Sequence, residues 1–242
     1  MATPLIAVEG VSHAARAGAL ARPVLRDATF EVAPGELVAV TGLPGSGKTT
    51  LLHVVAGLLP PDAGCVRLDD EDVWRASASR RRELRRGLIS IVPEGGGLAP
   101  DRTLAEAIEQ PLRVARLGRH DRRARRAELV ELAGLGADAR RFPHEVSVAA
   151  RWRAAVTRAL ALRPRIVLID EPPAEVADAV LSLLAPVTAR QGAVVVATDD
   201  AAVAARAGRE LRLADGEVSA VGPDARVRLV EPPQASAGGA TP

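Results

Sequence analysis

The first third of the chain alternates short β-prone runs with turns. "LIAVEGV" (5–11), "ATFEV" (28–32) and "ELVAVTG" (36–42) are strand candidates, and Pro34-Gly35 reads as a turn joining two antiparallel strands. After Thr41 the pattern changes to helical spacing in "KTTLLHVVAGLL" (48–59). "PPDAG" (60–64) closes that helix, and "CVRLDDEDV" (65–73) returns to strand. From about 98 to 163 the chain reads as mostly helical: "LAEAIEQPLRVARL" and "DRRARRAELVELAGL" carry apolar residues at i, i+3, i+4, and "SVAARWRAAVTRALAL" resumes the pattern after Pro143. "RIVLID" (165–170) and "GAVVVATDD" (192–200) are buried strands, and "LRLADGEVSAV" (211–221) reads as a hairpin around Asp215-Gly216. Strand, loop and helix, then a helical insert, then two buried strands separated by helix make an α/β pattern with a mainly parallel sheet. "EPPQASAGGATP" (231–242) has the composition of a disordered tail.

Composition narrows this picture. The hydrophobic share is 48% but aromatics make up only 2%, so the core must be built from Ala, Val, Leu and Ile. The scarcity of Lys, Asn and Tyr fits GC-rich codon usage, against which an unusual residue stands out. The formal net charge is only +2. Two arginine runs, "RRRELRR" (80–86) and "RHDRRARR" (119–126), read first as solvated helix faces. They lack the aromatic interleaving of a base-stacking surface, and no nucleic-acid partner is expected. A lone cysteine, Cys65, excludes an intrachain disulfide and suits a reducing compartment. The start lacks a signal-peptide pattern, and no apolar stretch approaches the roughly 18 residues of a membrane span.

One stretch carries chemistry. Of 32 basic residues only Lys48 is lysine, and it sits in "GLPGSGKT" (42–49), a match to G-x-x-x-x-G-K-[ST]. The glycines allow backbone N–H groups to turn inward onto phosphate oxygens. The helix opening near Lys48 points its positive end at the same anion. Lysine supplies a compact charge on a flexible stem that arginine's planar fork does not reproduce. The candidate phosphate-binding set is Gly42, Leu43, Pro44, Gly45, Ser46, Gly47, Lys48, Thr49 and Thr50, with the Thr49 hydroxyl a ligand for Mg²⁺. Downstream, Asp170 and Glu171 end the strand "RIVLID", where one acid can hold Mg²⁺ and the other can orient or deprotonate an attacking water.

With these residues the chain resembles the ATP-binding cassette (ABC) family of transporter ATPases over about residues 5 to 222. The likeness rests on the loop, on "GLLPPDAGCVRLDDEDV", on "FPHEVS" before a long helix, on "RALALRPRIVLIDEP" and on "LADGEV". The segment from "RRELRRGLISIVP" to "TLAEAIEQPL" most resembles the macrolide-export and lipoprotein-release branch. The resemblance implies a P-loop cassette over about 1–228, with an antiparallel N-terminal part and a helical subdomain at about 95–163, and a tail at 229–242. It implies ATP and Mg²⁺ as ligands. It implies a transmembrane permease as partner, a homodimer or heterodimer of cassettes, and a cytoplasmic place on the inner face of the membrane. In such dimers each ATP lies between one chain's phosphate loop and the other chain's signature. Glu171 takes the catalytic role, and Thr49, Asp170 and Glu94 serve the metal.

Several family positions differ here. The glutamine that reaches Mg²⁺ and water falls on Glu94, and the L-S-G-G-Q signature falls on Val146-Ser147-Val148-Ala149-Ala150. The aspartate after the catalytic glutamate falls on Ala177, with Asp178 one place late, and the γ-phosphate histidine falls on Asp199. The adenine-stacking aromatic falls near Ala14 or Ala15, and no aromatic precedes Phe30. Lost stacking removes about 1–3 kcal/mol of affinity. Glu94 keeps a hard oxygen for Mg²⁺, yet with Asp199 it adds two negative charges facing a triphosphate. At about 4 Å each like-charge pair costs roughly 4 kcal/mol at an effective dielectric of 20. Loss of the histidine donor is worth about a hundred- to a thousand-fold in rate. In the signature, Ser147 reads equally well as a simple helix N-cap. Two readings follow: an ATP-binding subunit that drives or gates a permease with impaired hydrolysis, or a pseudo-ATPase that senses nucleotide without useful turnover.

Overall fold

The computed structural model describes residues 3–17 and 20–221. The expected tail at 229–242, and the expected domain end at 228, lie outside the described residues. Two sheets organise the chain. Strands β1 (Ile6–Ala17) and β2 (Leu20–Val32) pair antiparallel, with Ile6 opposite Val32 and Ala14 opposite Pro23. After β3 (Leu37–Thr41), strands β4 (Ala63–Leu68) and β5 (Glu71–Asp72) complete a four-stranded antiparallel sheet in the order β2-β1-β4-β5. The second sheet adds β6 (Ile89–Val92), β7 (Ile166–Asp170), β8 (Ala193–Thr198), β9 (Arg209–Ala214) and β10 (Glu217–Val221), in the order β10-β9-β3-β8-β7-β6. All its pairs are parallel except β9 with β10.

The Pro34-Gly35 turn forms, with Glu36 N–H donating to Ala33 O at 3.2 Å, but it does not join paired strands. β2 pairs with β1 and belongs to the antiparallel sheet, whereas β3 lies between β8 and β9 in the other. Burial explains the separation. The middle of β3 is buried on both faces, which only a central parallel strand satisfies, while β2 has many exposed positions. "CVRLDDEDV" is likewise a hairpin rather than one strand. Asp69 (φ 51°) and Asp70 (φ 67°) turn the chain so that Leu68 faces Glu71. The hairpin expected at Asp215-Gly216 forms, with both residues at positive φ and Ala214 opposite Glu217.

Helix α1 (Lys48–Val55) leaves the tip of β3 and packs Leu51, Leu52, Val54 and Val55 into the core between the two sheets. It stops after two turns at Gly57 (φ 67°), where Leu58 N–H reaches His53 O and Gly57 N–H reaches Val54 O, a Schellman ending. Helix α2 (Ala78–Gly87) precedes β6. Helices α3 (Leu104–Val114), α4 (Arg119–Leu132) and α5 (Val148–Ala159) share a cluster of Leu104, Ile108, Leu112, Leu129 and Ala154. Thr103 and Glu106 close a capping box at the start of α3. α5 also packs with α6 (Ala177–Ala189) on the other face of the parallel sheet. The short α7 (Ala201–Ala204) follows β8. The helical cluster thus meets the core sheet through α5.

Candidate nucleotide site

The parallel strands β3, β7 and β8 end together, and their following loops form one rim. The loop after β3 turns with Gly45 at φ 80° and Gly47 at φ 105°, conformations that favour glycine. A Cβ on Gly47 would stand 2.9 Å from Val24 Cγ1, so β2 and the loop approach closely only because the side chain is missing. Lys48, 4% exposed, donates from Nζ to Gly42 O (2.7 Å) and Leu43 O (3.2 Å), and pairs with Glu171 Oε1 at 2.9 Å. Glu171 has a left-handed backbone (φ 47°), and its Oε2 accepts from the Asp199 N–H at 3.1 Å. The carboxylate therefore ties the loop after β7 to the loops after β3 and β8.

Asp170 is 1% exposed, and its Oδ1 has no hydrogen-bond partner, nor does the buried Ser46 Oγ. Burial pushes the Asp170 pKa up, opposed by the Thr49 hydroxyl beside it and assisted by the negative charge of Glu94. A buried carboxylate with one unpartnered oxygen beside a hydroxyl is a donor set that suits Mg²⁺. The residues therefore fit both a phosphate group and its metal. Among the described residues no three acidic, His or Cys side chains already converge on one point, so phosphate oxygens and water must complete the coordination.

A cavity of about 670 Å³ opens over this rim. Of the residues singled out from sequence, Pro44, Gly45, Gly47, Lys48, Thr49, Thr50, Glu94, Glu171 and Asp199 line it. Gly42, Leu43 and Ser46 face a separate cleft behind the loop, and Leu43 is exposed there. Asp170 lies buried at the end of β7. Val146–Ala150 do not line the cavity: Ser147 is the N-cap of α5, accepting from Ala150 N–H at 3.2 Å. Ala177 is buried at the start of α6, and Asp178 pairs outward with Arg206 at 2.5 Å. Ala14 and Ala15 are absent from the lining. Val24 of the neighbouring strand is present, together with Pro172, Pro173, Ala174 and Asp200. Sequence reading missed these. A valine in a β-run carries no signal, although the prolines directly after Glu171 could have suggested a stiff wall.

The cavity's charge balance is unusual for an anion site: Lys48 faces Glu94, Glu171, Asp199 and Asp200. Asp200 is partly engaged, since its Oδ1 accepts from Ala202 and Val203 N–H to cap α7. Glu94 opens a tight turn followed by three glycines at positive φ, Gly95 (71°), Gly96 (81°) and Gly97 (59°). Arg158 of α5 donates to Gly97 O at 2.6 Å and Gly96 O at 3.0 Å, which fixes this loop to the helix that begins at Ser147. Burial pulls the Arg158 pKa down.

Known proteins share this architecture. The family model described as ABC transporter matches residues 25–174. The lipoprotein-releasing system ATP-binding protein LolD 2 of Caulobacter vibrioides is 35% identical over 223 residues, spanning 90% of this chain and 98% of that protein. The ATP-binding cassette MJ0796, in a dimeric post-hydrolysis structure bound to ADP and Pi, superposes with a TM-score of 0.80 at 29% identity, covering 88% of this chain and 96% of that one. CbiO1 from Clostridium perfringens, part of the cbiONQ transporter complex, superposes with a TM-score of 0.77 over 89% of this chain and 86% of that one. At 20% identity that match speaks to the fold alone.

Proposed function

The chain belongs to the ABC transporter family, whose cassettes use ATP with Mg²⁺, and from that premise we propose that it is a nucleotide-binding subunit that holds Mg-ATP to gate a permease while hydrolysing it slowly. The observation that carries this reading is the contrast within one cavity. The glycine loop and Lys48 suit a phosphate group, while the carboxylates of Glu94 and Asp199, which align in sequence with the family's neutral glutamine and histidine, line the same cavity. The likeness to a lipoprotein-releasing ATP-binding protein supports a permease of that branch as the partner in this reading, with the chain peripheral on the cytoplasmic face of the membrane and paired with a second cassette. Among the described residues no helix is long and apolar enough to cross a membrane.

In this reading Lys48 exchanges Glu171 for a phosphate oxygen. Glu171, so released, accepts the proton of the attacking water. Thr49, Asp170 and Glu94 would hold Mg²⁺, which would supply positive charge to offset the charge of the phosphate groups. Of the remaining loop residues Gly45 and Gly47, with Thr50, line the cavity and present backbone N–H groups to the same phosphate oxygens, while Pro44 has no N–H to offer and shapes the turn.

The second reading, a pseudo-ATPase that senses nucleotide, is favoured by the four carboxylates around Lys48. ATP binding and turnover by the purified chain, alone and with its co-purifying proteins, separate the two when the parent is compared with Glu171→Gln. Slow turnover abolished by Glu171→Gln supports the slow ATPase. ATP binding with turnover unchanged by that substitution leaves the sensing role. Absence of ATP binding in every preparation rejects both.

A further inference from the structure

The arginine run at 119–126 takes no part in the nucleotide site. Arg119, Arg122, Arg123 and Arg126 recur at spacings of three and four, so they share one face of α4. Arg113, in the last turn of α3, reaches the same place. At the centre lies Glu109, 4% exposed. Its Oε1 accepts from Arg113 Nε (3.1 Å) and Arg122 Nε (2.7 Å), and its Oε2 accepts from Arg126 at 2.5 Å. Burial alone would raise the Glu109 pKa, but hydrogen bonds from Arg113, Arg126 and Arg122 together hold it below the usual carboxylate range. It is therefore ionised at neutral pH. These six residues line a concavity of about 280 Å³.

Tying α3 to α4 explains only part of this arrangement. One carboxylate faces five guanidinium groups, and Arg119 and Arg123 make no ion pair or side-chain hydrogen bond among the described residues. Nearby acids do not close the gap. Glu106 is taken up by the Thr103 cap, and Asp121 contacts His120. The placement also runs against helix electrostatics. Arg119 and Arg122 sit in or beside the first turn of α4, whose only acid is Asp121, at the end where the backbone is already positive. A local rule broken without internal compensation is a mark of function. Glu109 engages the Nε atoms of Arg113 and Arg122, which orients both guanidinium planes; Arg122 Nη1 also reaches Leu117 O at 3.4 Å, and Arg113 and the Nη2 of Arg122 keep terminal N–H groups for another acceptor.

We propose that this concavity between α3 and α4 binds a small phosphate-bearing anion, gripped by Arg119 and Arg123 and by the Glu109-anchored Arg113, Arg122 and Arg126. Such a group reaches the protein as a phospholipid headgroup or as free phosphate. The arginine fork matches both.

The full chain carrying Lys48→Ala, which removes the loop lysine as a competitor, is the host for the test. Pyrophosphate is titrated by calorimetry in one arm. Vesicles of phosphatidylcholine with and without phosphatidylglycerol are co-sedimented in the other. Each arm is repeated with Arg119→Gln/Arg123→Gln, and with Arg82→Gln/Arg86→Gln as a control of equal charge on α2. Binding in either arm, weakened at least ten-fold by the first pair and not by the control, with thermal melting preserved, supports the site. Response to anionic vesicles alone assigns a headgroup, and response to pyrophosphate alone assigns free phosphate. Absence of binding in both arms, or equal loss in the control, overturns it.

Discussion

Asp199 donates its backbone N–H to Glu171 and leaves its own carboxylate on the rim of the cavity. That side chain offers no donor to charge developing on a γ-phosphate. Asp199→His supplies one and removes a negative charge, and turnover of ATP should rise by about ten- to a hundred-fold, measured as phosphate release under saturating Mg-ATP. Asp170 makes a prediction about pH. Its folded pKa lies above the unfolded value because of burial, so the unfolded chain ionises first. Without Mg²⁺ the group lowers stability above its folded pKa, and this penalty fades as pH falls from that value to the ordinary carboxylate range. Binding of Mg²⁺ needs the ionised form and weakens over the same window. The Mg²⁺-induced rise in melting temperature should therefore shrink as pH is lowered from neutrality, and Asp170→Asn should remove the dependence. At this scale the 42–49 loop was legible from its spacing, and the acidic end of β7 stood out as a candidate only because that loop lies upstream of it. The Lys48–Glu171 pair was not, since it depends on three loops meeting and on the left-handed backbone at Glu171.

Arg158 ties two elements together that the apolar clusters do not fully join. Its guanidinium joins the glycine loop after Glu94 to α5 through two carbonyls. Arg158→Met keeps the apolar stem but leaves both carbonyls without this donor. The expected cost is about 1–3 kcal/mol in urea unfolding, with a weaker Mg²⁺ response than the parent because Glu94 loses its support. Periodicity located α3, α4 and α5, and the buried strands β7 and β8 were readable as continuous apolar runs. The Asp69-Asp70 hairpin escaped notice because both turn residues are aspartate, without the glycine that usually signals positive φ. The role of Arg158 was invisible in a chain where arginine is the default cation.

Across the whole molecule, sequence pattern pointed to an α/β fold but could not say which strands share a sheet. Pro34-Gly35 looked like an ordinary hairpin, and only the burial of β3 on both faces sends it to the parallel sheet. The start of α5 carries a prediction about assembly. Val148 and Ala149 begin α5 beside the exposed Ser147, where glycines would let a partner's phosphate approach the backbone. Val148→Gly/Ala149→Gly should strengthen ATP-dependent dimerisation in light scattering, at a helix cost of roughly 1 kcal/mol per glycine. The balance of one lysine against four carboxylates reaches further still. ATP affinity should therefore depend steeply on divalent metal: titration of ATP into the purified chain should show much weaker binding when Mg²⁺ is chelated than at millimolar Mg²⁺, and the difference should narrow in Glu94→Gln/Asp199→Asn.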